Sequence, residues 1–446
     1  MNRSAEVDIS VRRAFAPPES HVMVRAGLLV VLWTAVGLEI LVLILALPPR
    51  ATKWDYTIYY TSASAMRQGM NPYTADLTAL ANGFGFDLGK IYHATDPPTF
   101  VLLFEPLTFL SPHAAFWAWT GINAASFLIA LVLLLRSTPG LSRDAAVAVA
   151  ALAMIYPPVV DHLIWGQNKM LVLLMLVLML RWMEQGKDAA AGWILAFAIL
   201  LRAFPLFLVG YLLLTRRWRV LSYTIVGLAV GGLITIIFVG AGRSLSFLLA
   251  PGYLTEQWRE SLPGNIAIGP SLSRLFWYLY GTHLGAAQEL ARKFTSCAAQ
   301  LAVIGFTIKA TLSRASDDER VGRPFSLWIM AAILLSPTSW FYYLVLLTIP
   351  LVELSAAALG GRVSRRSLWS GVASYILAWL YYLVVSMHSG EFAAHPDHLI
   401  WRVGDFPIAL LAYLSLYWFA IDPVPARQAQ AEVVTAINQM PAHTAV

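Results

Sequence analysis

Asp55 opens the run Asp55-Tyr56-Thr57-Ile58-Tyr59-Tyr60, only a few residues after the apolar stretch 28–47. A carboxylate at a membrane face costs free energy unless it is solvated, paired or used. It can take the proton of a hydroxyl as a general base. It can also cap the helix expected over 56–68 by accepting free backbone N–H groups. The two roles are compatible, because a capped carboxylate is a fixed one. Arg202 is the cationic counterpart, set between Ile199-Leu200-Leu201 and Ala203-Phe204-Pro205. A guanidinium at that depth must meet an anion or snorkel to headgroups. Lipid-linked phosphate is an anion found there, and guanidinium binds phosphate in bidentate fashion.

Gly166-Gln167-Asn168 follows Asp161-His162 at a membrane edge. The amide pair could grip sugar hydroxyls or satisfy helix ends. His93 and Asp96 precede Pro97-Pro98, where Asp96 reads as a helix cap with Pro97 at the first helical position. The stretch His388-Ser389-Gly390-Glu391 to His395-Pro396-Asp397-His398 holds metal-ligand residue types. Its spacing is loose and matches no zinc signature, so no metal is expected.

The elements that must position these residues belong to a membrane protein. Of 446 residues, 58% are hydrophobic and 13% charged, against about 25% charged in soluble domains. Cys297 is the single cysteine, which excludes an intramolecular disulfide and a thiolate metal cluster. Stretch 28–47 is followed by Pro48-Pro49-Arg50 and reads as an uncleaved signal anchor. The net charge of +6 comes from short basic clusters between apolar stretches, the positive-inside pattern, and not from a nucleic-acid-binding patch. No Walker loop or dinucleotide fingerprint is present.

Twelve apolar stretches are candidate spans: 28–47, 113–135, 144–159, 168–183, 189–201, 204–215, 220–240, 285–310, 324–337, 341–359, 367–387 and 403–421. Several are short against the roughly 20 residues of a straight span. Alternation places Arg12/Arg13/Arg25, Arg136/Arg143, Arg181/Lys187, Arg216/Arg217/Arg219, Arg314/Arg320/Arg323 and Arg362/Arg365/Arg366 on the cytoplasmic side, with both termini. The segment 97–111 is expected to lie in or dip into the outer leaflet. A break at 202–205 is expected to be buried or to line a wet cavity. The first extracytoplasmic loop is 48–111, with aromatic, amphipathic helices. Residues 1–27 form a cytoplasmic arm, 28–421 the membrane domain and 422–446 a cytoplasmic tail.

Taken in order, these motifs resemble glycosyltransferase family 87, a branch of the GT-C superfamily with polyprenol-phosphate-mannose-dependent mannosyltransferases. The resemblance is carried by Asp55…Tyr59-Tyr60…Ala63…Gly69…Pro72-Tyr73, by Pro97-Pro98…Pro106, and by Gly166-Gln167-Asn168. Gly192…Arg202…Pro205, Arg216-Arg217-Trp218-Arg219, Asn265…Ser271…Arg274 and Ser336-Pro337-Thr338-Ser339-Trp340 continue it. The family often has lysine in place of Arg202 and paired histidines after the last motif. This chain has Tyr342-Tyr343 there, so a histidine role does not transfer.

The resemblance implies an all-α, polytopic GT-C-type bundle of about twelve transmembrane helices in the plasma (inner) membrane, its active site facing the extracytoplasmic side. It implies an inverting glycosyltransferase that moves a sugar from a polyprenyl-phosphate donor to a glycan or glycolipid acceptor, without a cofactor. Mannose is the implied sugar, with arabinofuranose or another pentose as the alternative. Asp55 matches the catalytic aspartate, Arg202 and Arg274 the donor-phosphate contacts. Tyr59, His93, Gln167, Asn168, Asn265, Trp340 and Tyr343 are the substrate-binding candidates. The rival reading is a lipid-linked sugar flippase or other secondary transporter, which twelve spans and a broken helix would suit.

Overall fold

The computed structural model describes residues 19–52, 54–86, 93–138, 140–249, 262, 264–313, 322–394 and 399–422. The N-terminal arm before Glu19, residues 395–398 of the histidine-bearing loop and the tail after Asp422 lie outside these. The described residues form helices joined by turns and short loops, and each of the twelve apolar stretches falls largely on helix. Among the described residues, six helices are long and apolar enough to cross a membrane, or seven if one bent pair counts as a span. This count does not confirm twelve spans.

The shortfall has a physical cause. Helices such as Lys169–Glu184 and Gly322–Leu335 are packed by protein nearly all round, with Met170, Val172, Leu173 and Leu176 buried on the first and Phe325, Leu327, Ile329 to Leu334 on the second. A helix that meets protein instead of lipid need not match the bilayer thickness. The bent pair is Arg143–Met154 with Pro157–Trp165, turned by 46°. Pro157 and Pro158 lack the N–H groups that would continue the first helix. The helices Asp188–Leu201 and Trp218–Val239 pack very closely, because a Cβ on Gly192 would lie 2.6 Å from the Val220 carbonyl oxygen, the small-residue approach typical of membrane helices.

The helix Trp54–Arg67 is not laid along a lipid boundary with one face in water. Residues 56–66 are all buried. Tyr56, Tyr59 and Tyr60 enter an aromatic cluster with Phe84, Phe86, Phe100, Phe104, Phe116 and Trp119. Edge-to-face contacts of this kind add about 0.5–1.5 kcal/mol per pair beyond area burial. The cluster fixes the helix, and so fixes where Asp55 points.

Basic residues end or begin the helices at alternate turns along the chain: Arg136, Arg143, Arg181, Lys187, Arg217, Arg323, Arg362 and Arg365. The opposite helix ends carry Gly166 to Lys169, Arg202, Ser336 to Tyr343 and Asp405.

Candidate active site

Gly166 sets the site. It ends the helix Pro157–Trp165 in the left-handed conformation, φ 63° and ψ 36°, which L side chains adopt only at a cost. A Cβ there would stand 2.8 Å from the Tyr56 Cβ, so only glycine allows this turn to press on the Asp55 helix. Trp119 Nε1 donates to the Gly166 carbonyl at 2.8 Å and locks the turn from a third helix. His162, fully buried, accepts from the Met170 N–H through Nε2 at 3.1 Å. It thereby satisfies one of the orphan donors of the following helix.

The turn delivers Gln167, Asn168 and Lys169 together. The Gln167 amide nitrogen donates to Asp55 Oδ2. Its amide oxygen accepts from Tyr59 O–H at 3.0 Å and from Lys169 Nζ. Two donors on one side and a carboxylate on the other define the orientation of this amide. Arg202 donates through Nε to Asn168 Oδ1 at 3.0 Å and through Nη2 to Tyr59 Oη at 3.1 Å. The same Nη2 pairs with Asp96 Oδ1 at 2.5 Å. Tyr342 O–H donates to Asp55 Oδ2 at 3.3 Å. Lys169 Nζ sits 4.5 Å and 5.0 Å from the ring centroids of Tyr343 and Tyr342, within the reach of a cation–π contact.

Two carboxylates, Asp55 and Asp96, thus face two cations, Lys169 and Arg202, and the set is neutral. Such balance is what allows ionised side chains to persist where water is scarce. Both hydrogen bonds to Asp55 described here fall on Oδ2, which leaves Oδ1 of this half-buried residue to accept a further proton.

Several expected residues converge here: Asp55, Tyr59, Gln167, Asn168, Arg202 and Tyr343. Asp55 is not a cap. The helix already begins at Trp54, and the carboxylate is taken by Gln167 and Tyr342. Asp96 does not cap either; the helix runs Pro98–Phe104 with Pro97 before it and no side-chain cap. Its carboxylate serves Arg202 instead, which corrects the snorkelling alternative for that arginine.

Arg274, expected on donor phosphate, is fully buried and donates to the carbonyls of Leu262, Asn265 and Arg402 at 2.8–3.0 Å. Asn265 forms an isolated antiparallel bridge with Trp340, and its Oδ1 accepts from the Ser339 N–H at 3.1 Å. These two brace the loops beside the site. His93 is exposed, with Nδ1 2.9 Å from the Ala75 carbonyl, and takes no part in the cluster. Lys169 was missed by sequence reasoning, although it stands next to Asn168. A lysine at the membrane-edge start of an apolar helix reads as an interfacial anchor, and only its complete burial reveals otherwise.

The family model described as "Glycosyltransferase family 87" matches residues 94–337. That span holds Asp96, Gly166 to Lys169 and Arg202; Asp55 and Tyr342 reach the site from outside it. A Corynebacterium glutamicum protein named Alpha-(1->3)-arabinofuranosyltransferase is 26% identical over 256 residues, which is 52% of this chain and 55% of that protein. The chain thus spans about half the length of this relative. Among solved structures, it is similar to ArnT from Cupriavidus metallidurans in the apo state, with a TM-score of 0.39, 14% identity, and coverage of 87% of this chain and 75% of the other. The same protein bound to undecaprenyl phosphate gives a TM-score of 0.38 and 15% identity, covering 95% and 81%.

Proposed function

The chain belongs to glycosyltransferase family 87, and on that premise we propose that it moves a sugar from a polyprenyl-phosphate donor to a glycan or glycolipid acceptor, with inversion at the anomeric carbon. The observation that carries the reading is the Gln167 amide, which ties the carboxylate of Asp55 to the ammonium of Lys169. A base and a cation side by side are what a displacement at an anomeric carbon requires. Asp55 Oδ1 takes the proton of the acceptor hydroxyl, the oxygen attacks the anomeric carbon, and the bond to the phosphate oxygen breaks. Lys169 and Arg202 stabilise the departing lipid phosphate. Asp96 holds Arg202 in place, and Gln167 and Tyr342 hold Asp55.

The end of the bundle opposite the basic clusters is the extracytoplasmic one by the positive-inside pattern, which supports an outward-facing site in the plasma membrane, with residues 1–27 and 422–446 cytoplasmic. Nucleotide sugars are not available on that side, which favours a lipid-carried donor. The relative's arabinofuranosyltransferase name supports a pentofuranose over the mannose that the motif resemblance implied.

The test is transfer by purified protein from polyprenyl-phosphate arabinofuranose and polyprenyl-phosphate mannose to the cell-envelope glycan fraction of a deletion strain. Asp55→Asn should lower turnover roughly 10²–10⁴-fold, as loss of a general base does, while an Asn oxygen still accepts from Gln167 and Tyr342. Near-normal turnover in a folded Asp55→Asn protein would falsify the assignment of the base.

A further inference from the structure

Beside Asp55 lies a second pair of carboxylates that the transfer step does not employ. Asp161, on the helix Pro157–Trp165, accepts from Trp165 Nε1 at 3.0 Å. Asp405 precedes the helix Phe406–Ile421 but makes no capping bond with its side chain. It is only 2% exposed, and its Oδ1 has no hydrogen-bond partner among the described residues. Both are tied to the Asp55 site by contacts: Trp165, which donates to Asp161, faces Tyr342, and Asp405 Oδ2 and Trp340 both border Gly264. The Tyr381 hydroxyl approaches Asp405.

The wall of this region is aromatic. Trp165 and Tyr342 rings stand 6.4 Å apart, which joins the Asp161 helix to the Asp55 site. A Cβ on Gly264 would lie 3.7 Å from Trp340 and 3.8 Å from Asp405 Oδ2, at ordinary contact distance. Glycine there leaves no side chain between the indole and the carboxylate, and a Cβ would already touch both.

A carboxylate only accepts hydrogen bonds, and a buried acceptor without a donor is costly. A sugar ring supplies what is missing: hydroxyl donors around its rim and an apolar face for an aromatic ring. An acceptor that presents one hydroxyl to Asp55 must place its other hydroxyls within a few ångströms of it. We propose that Asp405 and Asp161, walled by Trp340 and Trp165, bind hydroxyls of the acceptor's terminal sugar. This deepens the transferase reading and rests on it. Asp405 Oδ1 accepts one hydroxyl, and Asp161 accepts another beside its bond from Trp165. Gly264 puts no side chain between Trp340 and Asp405.

The experiment measures initial rates with the polyprenyl-phosphate sugar that the wild-type protein uses, and titrates both that donor and the envelope glycan fraction of a deletion strain. Asp405→Asn and Asp161→Asn should each raise the acceptor KM about tenfold or more, the scale of one hydrogen bond to a charged group. Donor KM should move less than about threefold. Gly264→Val, which keeps both carboxylates and sets a side chain against Trp340 and Asp405, should give the same split and decides the matter if an Asn variant is not recovered folded. An unchanged acceptor KM, or equal rises for donor and acceptor, would overturn the proposal. A wild-type protein that transfers from no polyprenyl-phosphate sugar would instead refute the donor reading.

Discussion

Replacing Lys169 by methionine removes one charge from a buried set while keeping nearly the same volume. The ammonium makes one hydrogen bond to the Gln167 oxygen and lies over the Tyr343 and Tyr342 rings. A hydrogen bond to a charged group contributes about 1.5–3 kcal/mol and a desolvated cation–π contact about 0.5–2 kcal/mol. Their sum is about 2–5 kcal/mol, close to the roughly 3–5 kcal/mol lost when one partner of a buried charge pair is deleted. Thermal melts in detergent should show that loss. Turnover should fall further, by about 10²–10³-fold, because a cation placed at developing phosphate charge contributes on that scale.

A second variant separates the two effects. In Lys169→Met with Asp96→Asn, Asp55 and Arg202 again balance, so part of the lost stability should return. Turnover should not return, since the phosphate still lacks its cation. A folded Lys169→Met protein with kcat/KM for donor within about threefold of wild type would refute the reasoning, as about 1.4 kcal/mol per decade leaves no room for a catalytic cation. Recovery of turnover in the double variant would refute it equally, by making Lys169 a matter of charge balance alone.

Arg202→Ala should raise donor KM roughly ten- to a hundredfold, the worth of a charge-assisted contact, and should destabilise the fold by about 3–5 kcal/mol because Asp96 is left buried without its cation; Arg202→Lys should retain part of both, and an unchanged melt would contradict the Asp96 pair. Gly166→Ala meets a left-handed backbone, about 1–2 kcal/mol, and the Tyr56 Cβ, about 1–3 kcal/mol for overpacking. A wild-type melt for that variant would show that the turn is not pinned as described. In a Cys297→Ser background, an impermeant thiol reagent added outside cells should label Asp76→Cys and spare Arg219→Cys; the reverse pattern would invert the membrane orientation.

Much of the helical architecture was legible in the chain. Apolar stretches between basic clusters admit only helices that satisfy their own backbone, and all twelve are largely helical. Asp55 and Arg202 stood out for one reason: a charge among apolar neighbours must have a partner. The partners were not legible. Asp96 before Pro97 looks like a cap from its neighbours alone, and its pairing with Arg202 joins residues 106 positions apart. Tyr342, which stands where the family often has histidine, acquires its place from a bond to Asp55 across 287 positions.

Composition, charge alternation and the order of short motifs determined that this is a helical membrane protein of the glycosyltransferase family 87 kind, and singled out Asp55 and Arg202 as candidates for its site. Those are local properties: the cost of a polar group in lipid is set by the residue and its immediate neighbours. Tertiary structure decided which apolar helices are enclosed by protein, since burial by protein relieves the length requirement. It also decided that Lys169 completes a neutral quartet, that Arg274 braces loop carbonyls, and that Asp405 Oδ1 has no donor among the described residues. Each of these depends on which distant helix ends meet, and that is settled by packing around Gly166 and the aromatic cluster, not by any one stretch of chain.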